Sequence, residues 1–356
     1  MPAKQPGFPF SSLAVVLSLA SSLCLHAQDV PKLALSVKEK VPVAAGLVRY
    51  LATTPPICDG AGNIYIQVAE PAPAVNRAQP VTRISADGKH LTTFSLNSVP
   101  GISPQSSIDS YAVTPRGEVF VLAHDGRASE FIIFRDDGQF DSANKLDLYI
   151  YSAHFAVFPT GEFLVRGIEA SGPSRERQRT PSTALLDRNG RFLKEVTLPD
   201  EIPFKSRAEF NDREEFRKQD RAAKEAVWFS QAFSADDGNV YLVRPARPLS
   251  VDVISPGGEI VRRLSLKPPD PSFQVGSLKV AGGKVVVEYF QKTPGDSQNR
   301  ISNLTYSVFD AESGEKVYDY YWPTEPAGFF ACYTPNYFTF LAVGEDGLSL
   351  IHAAPR

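Results

Sequence analysis

The sequence predicts an all-β protein built from repeated four-stranded antiparallel units, and two families of glycine turns carry this prediction. In the first family a turn ends in Gly and leads, after a small or polar residue, into a short apolar stretch; the glycines are Gly62, Gly117, Gly161, Gly238, Gly283 and Gly347. The second family lies between strand-like flanks at Asp87-Gly88, Asp137-Gly138, Asn189-Gly190, Gly257-Gly258 and Ser313-Gly314. Such dipeptides supply the positive φ that two-residue hairpin loops need. The chain therefore reads as a series of paired hairpins.

The two turn families alternate strictly, so one turn of each family defines a four-stranded unit. The sixth unit begins at Gly347, and only nine residues follow it to Arg356. We expect its missing strand or strands to come from the start of the mature chain, where Leu33-Ala-Leu-Ser-Val37 is strand-like. A closure of this kind leaves no free sheet edge between the first and last units.

On these turn glycines and strand apolars, over residues 31–356, the chain resembles a six-bladed β-propeller of the NHL-like and TolB-like type found in secreted bacterial proteins. The resemblance implies four-stranded antiparallel blades closed by an N-terminal strand. It implies no particular function, because propellers host both enzymes and binding scaffolds. An open β-solenoid or a seven-bladed ring is the structural alternative.

One segment, at about residues 205–228, predicts a helical insertion. Asn211-Asp-Arg-Glu214 has the pattern of an N-cap followed by an acidic residue, and two ion pairs at helical spacing follow, Glu214/Lys218 and Asp220/Lys224. Two roles stay open for this helix. It is either a solvated insertion that packs on the rim or a lid over a site.

The N-terminal residues predict a secretory signal peptide over 1–27. Lys4 precedes an apolar run from Leu13 to Leu25, and Ala27 offers a small residue for cleavage. The mature chain, 28–356, is then a single secreted or periplasmic domain. The net charge of the full sequence, −3, argues against nucleic acid as a partner. No later apolar run is long enough to insert into a membrane, and we expect a monomer.

The cysteines and histidines limit which disulfides and metal sites the chain can form. After cleavage Cys58 and Cys332 remain, and they form either a disulfide or two unrelated buried thiols. The histidines are not clustered at the spacing of a zinc site. We predict no cofactor and no metal ligand, with Ca²⁺ bound through loop oxygens left open as an alternative.

In a propeller the long connections collect on one face, opposite the glycine turns, and long loops on a rigid scaffold usually carry function. Aligning the inner strands by their glycines places Ser110, His154 and Gln231 where those strands begin. The second strands end beside them, and the candidates there are Arg166, Arg244, Glu288 and His352. A ring of such side chains around a concave mouth predicts a binding site for a polar or anionic ligand.

The favoured function is a binding module that presents this long-loop face to a small molecule, a glycan or a protein. The alternative is a metal-dependent hydrolase or lyase, similar to lactonase-type propellers, with its site at the mouth of the central channel. Such enzymes hold their metal with acidic, Asn or His residues from several inner strands. The inner positions here offer one good ligand, His154, among Ser110, Gln231, Gly276 and Phe340, which favours binding over catalysis.

Overall fold

The strands of the computed structural model start and stop at the glycine turns. The structure describes residues 30–43, 55–67, 79–125, 128–171, 178–199, 201, 205, 209–293, 301–323, 328–344 and 347–356. Fourteen glycines of this part have positive φ, and they include all six of the first turn family. The all-β prediction is confirmed, with one α-helix, α1 (Arg213–Trp228), and a short 3-10 turn at Leu96–Ser98.

Four sheets contain four antiparallel strands each, in chain order. Sheet 1 has β2 (Ile57–Cys58), β3 (Ile64–Gln67), β4 (Val81–Ile84) and β5 (Leu91–Phe94). Sheet 2 has β6 (Ser107–Val113), β7 (Val119–His124), β8 (Ser129–Phe134) and β9 (Phe140–Lys145). Sheet 3 has β10 (Ile150–Val157), β11 (Phe163–Ser171), β12 (Gln178–Leu186) and β13 (Phe192–Glu195). Sheet 4 has β14 (Gln231–Ser234), β15 (Val240–Arg244), β16 (Leu249–Ile254) and β17 (Ile260–Leu266).

The remaining strands form one eight-stranded sheet. Its members are β1 (Lys32–Pro42), β18 (Gln274–Ala281), β19 (Lys284–Lys292), β20 (Ile301–Asp310), β21 (Lys316–Tyr321), β22 (Phe329–Tyr333), β23 (Phe338–Gly344) and β24 (Gly347–Pro355). Their order is β18-β19-β20-β21-β1-β24-β23-β22. Residues 35–42 of β1 pair antiparallel with β24, while residues 32–34 pair parallel with β21. The N-terminal strand β1 therefore lies between two strands of this sheet, β24 on one side and β21 on the other.

The sheets are arranged like the blades of a propeller. The first strands of sheets 1 to 4 and the two edge strands of the eight-stranded sheet, β18 and β22, are called first strands here. They contact one another in a closed cycle that runs β2, β6, β10, β14, β18, β22 and back to β2. Apolar clusters fill the space between neighbouring sheets, as where Phe131 of sheet 2 stacks on Phe163 of sheet 3 with ring centroids 3.9 Å apart. Because both faces of each sheet are covered, inner segments such as Val119–Ala123 are buried along their whole length.

Outer glycine turns pack against the last strand of the preceding sheet. A Cβ on Gly138, in sheet 2, would lie 2.9 Å from the carbonyl oxygen of Thr93 in β5. A Cβ on Gly88, in sheet 1, would lie 2.8 Å from the carbonyl oxygen of Pro42 in β1. Glycine is required at both positions, since φ is positive and a side chain would collide with backbone. Relative to sheet 1, β1 occupies the place that β5 occupies relative to sheet 2.

A disulfide joins Cys58 of β2 to Cys332 of β22, with Cα atoms 5.5 Å apart and a sequence separation of 274. It links the first strands of two neighbouring sheets, one near each end of the chain. A cross-link over so long a loop removes much of the freedom of the unfolded chain.

We expect the double variant Cys58→Ser/Cys332→Ser to lose about 2–4 kcal/mol of unfolding free energy. Urea unfolding with and without reductant measures this. Reductant should destabilise the wild type and leave the double variant unchanged. Equal unfolding of oxidised and reduced wild type would contradict the expectation.

Other parts of the sequence prediction lie outside the described residues, and the signal peptide over 1–27 is the main one. The division into a signal peptide and a single domain over 28–356 stays a prediction. Within the part of the chain that the structure describes, no helix is both long enough and apolar enough to cross a bilayer.

Candidate functional site

A cleft of about 890 Å³ opens between sheet 4 and the start of the eight-stranded sheet. Its walls come from the start of β14, the β15–β16 turn (245–248), the β17–β18 connection (267–273) and the start of β18. First strands begin and second strands end at this edge of the sheets, so the cleft lies on the face opposite the glycine turns. We call this edge the long-loop face and the opposite edge the glycine face.

The wall of the cleft is mainly apolar and aromatic. Trp228 and Phe229, at the end of α1, are 54% and 66% exposed, and Phe273 and Leu249 line the cleft from two other segments. Several prolines lie in the connections that flank the neighbouring strands: Pro245, Pro248, Pro268, Pro269 and Pro271. Proline has no backbone N–H, and outside a strand this costs no hydrogen bond of the sheet. Large exposed aromatic rings in a concave site are typical of ligand-binding surfaces.

The predicted candidate Gln231 is one of the residues that line this cleft. It is the first residue of β14, and its Oε1 atom is buried with no hydrogen-bond partner among the described residues. A buried amide oxygen without a partner costs free energy, so a donor from water or from a ligand would satisfy it.

The helix α1 brings Trp228 and Phe229 to the cleft. Its N-cap is Asp212, which accepts a hydrogen bond from the Glu214 amide at 2.8 Å, one residue after the predicted cap. The two predicted ion pairs are present: Lys218 to Glu214 at 3.3 Å and Lys224 to Asp220 at 2.6 Å. The helix begins at Arg213 rather than near 205.

Arg166 fastens the end of α1 to sheet 3. Its side chain is 2% exposed, and its Nε donates to the Ser230 Oγ at 3.0 Å. The same guanidinium donates to the Thr183 Oγ1 at 2.8 Å and to the Glu201 Oε1 at 2.9 Å. Ser230 in turn donates to the Ala226 carbonyl of α1 at 2.6 Å. Arg166 was predicted as a ligand-binding residue, and the structure places it in a buried internal network.

His154 supports the same helix end. It lies opposite Arg166 in the β10–β11 ladder, and its ring hydrogen-bonds to the backbone of Trp228. Burial lowers the pKa of His154, the Arg166 charge lowers it further, and the hydrogen bond to Trp228 opposes both. The structure thus brings His154 and Arg166 together beneath a wall of the cleft.

Arg244 is also tied to another part of the fold. Its Nε donates to the Oδ2 of Asp252 at 2.7 Å, and the Nε of Arg263 donates to the Oδ1 of the same carboxylate at 2.7 Å. The Asp252 side chain is fully buried in β16. The three residues pin the β15, β16 and β17 strands of sheet 4 together.

Glu288 lies in a buried polar cluster of the eight-stranded sheet. It accepts from the Ser277 Oγ at 2.9 Å and from the Tyr306 hydroxyl at 3.4 Å. Burial raises the pKa of Glu288, and the nearby Lys279 opposes that rise. Lys279, which sequence reasoning did not select, is fully buried and donates to the Pro56 carbonyl of the segment leading into β2. The sequence did contain a signal for this buried lysine, because Lys279 stands between two apolar residues of a predicted inner strand.

The last two candidates are distant from the cleft. Ser110 lies in β6, directly after an irregularity in the pairing of β6 with β7. Its buried Oγ has no hydrogen-bond partner within the described part of the chain. His352 of β24 shares a 3.0 Å hydrogen bond with the Thr339 Oγ1 and packs against the Tyr337 ring. The seven candidates therefore do not converge into one ring, and their role in ligand binding stays a prediction.

The centre of the strand cycle is narrow. A cavity of about 40 Å³ remains there, with walls from first strands; they include Ile57, Ala112, Ala156, Phe233 and Lys279. This volume has room for about one or two water molecules. Among the residues that the structure describes, no three His, Cys, Asp or Glu side chains form a group suited to a metal ion. The cleft, at about 890 Å³, is much larger than this central cavity.

The buried amine of Lys279 predicts a distinct pH dependence. Burial lowers its pKa from the ordinary 10.5 to about 8. Between these values the unfolded chain binds more protons than the folded chain, so the free energy of unfolding rises from about pH 8 to about pH 10. We expect Lys279→Met to be more stable than wild type at pH 7 and to lose this rise. Urea unfolding at pH 7, 8, 9 and 10 measures it, and parallel pH profiles for the two proteins would refute it.

Comparisons with known proteins bear on the fold. No protein-family model matches the chain, and no curated protein matches it. Among solved structures, a protein from Bacteroides fragilis inferred to be exported is 9% identical, with 91% of this chain and 99% of that chain covered and a TM-score of 0.52. The Pan2 WD40 domain of Neurospora crassa is 10% identical over 90% of this chain and 96% of that one, with a TM-score of 0.46. A TolB-like protein from Agrobacterium tumefaciens is 11% identical over 85% and 89%, with a TM-score of 0.41.

The likeness to the Bacteroides fragilis protein spans nearly the whole of both chains, and at this identity it concerns the fold alone. The sheet order and the closed cycle of β2, β6, β10, β14, β18 and β22 give the chain a β-propeller-like fold.

Proposed function

We propose that the chain is a six-bladed β-propeller of the NHL-like and TolB-like type. The eight-stranded sheet is then two blades, β18 to β21 and β22 to β24 with β1 as the outer strand. The support is twofold. Six first strands contact one another in a cycle, and β1 packs against the outer turn of sheet 1 as β5 packs against that of sheet 2. The three-residue parallel pairing of β1 with β21 is a contact between two neighbouring blades.

The proposed function of this propeller is ligand binding in the cleft on its long-loop face. The observation that carries the proposal is the 890 Å³ opening lined by exposed Trp228 and Phe229 together with the polar side chain of Gln231. Ligand pockets are typically about 300–1,000 Å³, mostly apolar, and equipped with a few polar groups that orient the ligand. The cleft has each of these properties.

The cleft is also held in shape by the fold. Arg166 and His154 fix the end of α1, and the Arg244–Asp252–Arg263 cluster fixes the sheet on which the opposite wall stands. A site whose walls are set before the ligand arrives loses less conformational entropy on binding. In this account the predicted charged residues act by positioning the walls.

We further propose that the mature protein, beginning near Gln28, acts outside the cytoplasm. The apolar run and small residue before the predicted cleavage site support this, as does the Cys58–Cys332 bond, since disulfides persist in oxidising compartments. The similarity to a protein inferred to be exported agrees with it.

A neutral aromatic probe, N-phenyl-1-naphthylamine, tests the binding site. We expect one bound probe per chain, and a roughly tenfold weaker affinity in Val275→Trp, because Val275 is 40% exposed at the cleft and an indole there fills it. Val343→Trp is the matched control: Val343 is 54% exposed at the end of β23, in another unit, and is not among the residues that line the cleft. Equal probe affinity in the wild type and both variants would overturn the proposed site.

A further inference from the structure

We propose that the ligand of the cleft is an amphipathic anion: an aromatic or aliphatic body with one acidic group, such as a carboxylate, a sulfonate or a phosphate ester. This inference rests on the proposed function and adds to it the class of ligand. Two cations in the lining of the cleft and the apolar wall of the same cleft carry it.

The two cations are Arg247 and Lys267, which lie at the same end of the β16–β17 ladder. Leu249 of β16 pairs with Leu266 of β17 at that end, Arg247 lies two residues before Leu249, and Lys267 directly follows Leu266. Both side chains line the cleft and both residues are exposed. Neither makes an ion pair with any residue in the described ranges. Two positive charges in the lining of one cleft repel each other, and a bound anion relieves that repulsion.

The one acidic residue among the described lining residues is occupied elsewhere. Asp270 accepts from the backbone N–H of Ser272 at 2.9 Å and also from the Ser272 hydroxyl. These bonds hold its carboxylate within its own turn rather than on Arg247 or Lys267. The charged lining is therefore positive by one, with both cations available to a ligand.

The rest of the cleft fits an uncharged body. Trp228, Phe229 and Phe273 present aromatic surface, and such rings favour stacked or edge contacts with other rings. Gln231 adds one uncharged polar side chain to this lining. In this proposal apolar contact supplies most of the binding affinity. The two cations make the affinity for an anionic ligand higher than that for its neutral analogue.

Two probes with the same ring skeleton separate these contributions. 8-Anilino-1-naphthalenesulfonate carries a sulfonate that N-phenyl-1-naphthylamine lacks. We expect the mature wild-type protein to bind the sulfonate about tenfold more tightly than the neutral probe. The variant Arg247→Gln/Lys267→Gln should lose that tenfold for the sulfonate and keep wild-type affinity for the neutral probe. Melting temperatures confirm that the variants remain folded.

Lys38→Gln/Lys40→Gln is the matched control, since it removes two exposed charges from β1 and leaves the cleft unchanged. It should bind both probes like wild type. If the two probes bind equally well and Arg247→Gln/Lys267→Gln changes neither affinity, the anion inference is overturned while the cleft remains a binding site. If neither probe binds the wild type, or if Val275→Trp weakens neither, the proposed function itself fails. If the control variant weakens sulfonate binding as much as the cleft variant, net charge rather than the cleft selects the anion, and the inference is overturned.

Discussion

Replacing Asp252 with alanine is expected to lower the free energy of unfolding by about 3–5 kcal/mol. The Asp252 carboxylate is fully buried and lies 2.7 Å from the Nε atoms of both Arg244 and Arg263, whose side chains are 14% and 31% exposed. Without it, two guanidinium groups at the edge of sheet 4 lose their shared counter-ion and repel each other. Removing one partner of a buried pair costs more than the pair itself contributes, because the remaining charge stays poorly solvated.

Glu259→Ala is the matched control for this experiment. Glu259 is also 2.7 Å from its partner, Lys194, but the two side chains are 64% and 40% exposed. Exposed pairs contribute little to stability because water screens them. Urea unfolding should therefore show a large loss for Asp252→Ala and a small one for Glu259→Ala. Similar losses in the two variants would mean that burial of the cluster is not what makes it important.

Replacing Arg166 with alanine is expected to have two effects. The first is a loss of about 3 kcal/mol of unfolding free energy, because Glu201, Thr183 and Ser230 lose the buried guanidinium that they share. The second is weaker binding of the neutral probe, because the end of α1, with Trp228, is no longer fastened to sheet 3. Chemical unfolding measures the first effect and a probe titration under native conditions measures the second.

Arg188→Ala provides the comparison, because Arg188 pairs with Glu118 at 3.4 Å while its side chain is 47% exposed. It should change neither stability nor probe binding by much. A folded Arg166→Ala protein with wild-type probe affinity would show that Arg166 does not position the cleft wall. In that case its network would be important for stability alone.

The sequence predicted most of the turns well because glycine turns are local signals. Gly347 was assigned wrongly: it was expected to follow the first strand of the last unit, but it lies between β23 and β24, because β22 precedes β23 and is joined to it by a turn without glycine at 334–337. Gly88 and Gly138 have positive φ, and this requirement is visible in the few residues of each turn. The close approach of the neighbouring strand is a second reason for glycine, and that one is not local in sequence. The strand at Leu33–Val37 was also predicted, and it extends further, from Lys32 to Pro42. Its parallel contact with β21 was not predicted, because no sequence pattern reports a contact between adjacent units.

The site was harder to predict because side-chain partners lie far apart in sequence. Arg166 and Ser230 are separated by 64 residues, and nothing near Arg166 in sequence announces that partner. A charged residue at a strand end therefore looked available for a ligand when it was already paired. Only Gln231 among the predicted candidates lines the cleft.

The cleft itself was missed for a related reason. Its walls combine the end of α1, a turn of sheet 4 and the connection into β18, and the three meet only after the sheets pack. The signals were present as Trp228-Phe229 and the proline-rich Lys267–Pro271 segment, but separately each resembles an ordinary helix end or linker.

The central claim is that the cleft on the long-loop face is the binding site of this protein. Amide hydrogen exchange of the mature protein, with and without saturating 8-anilino-1-naphthalenesulfonate, tests it most directly, because bound ligand slows local opening. The account predicts slower exchange at 228–231, 245–249 and 274–278, with no change at 235–239 and 281–284 on the glycine face. Protection confined to the glycine face, or no protection at the cleft, would contradict it.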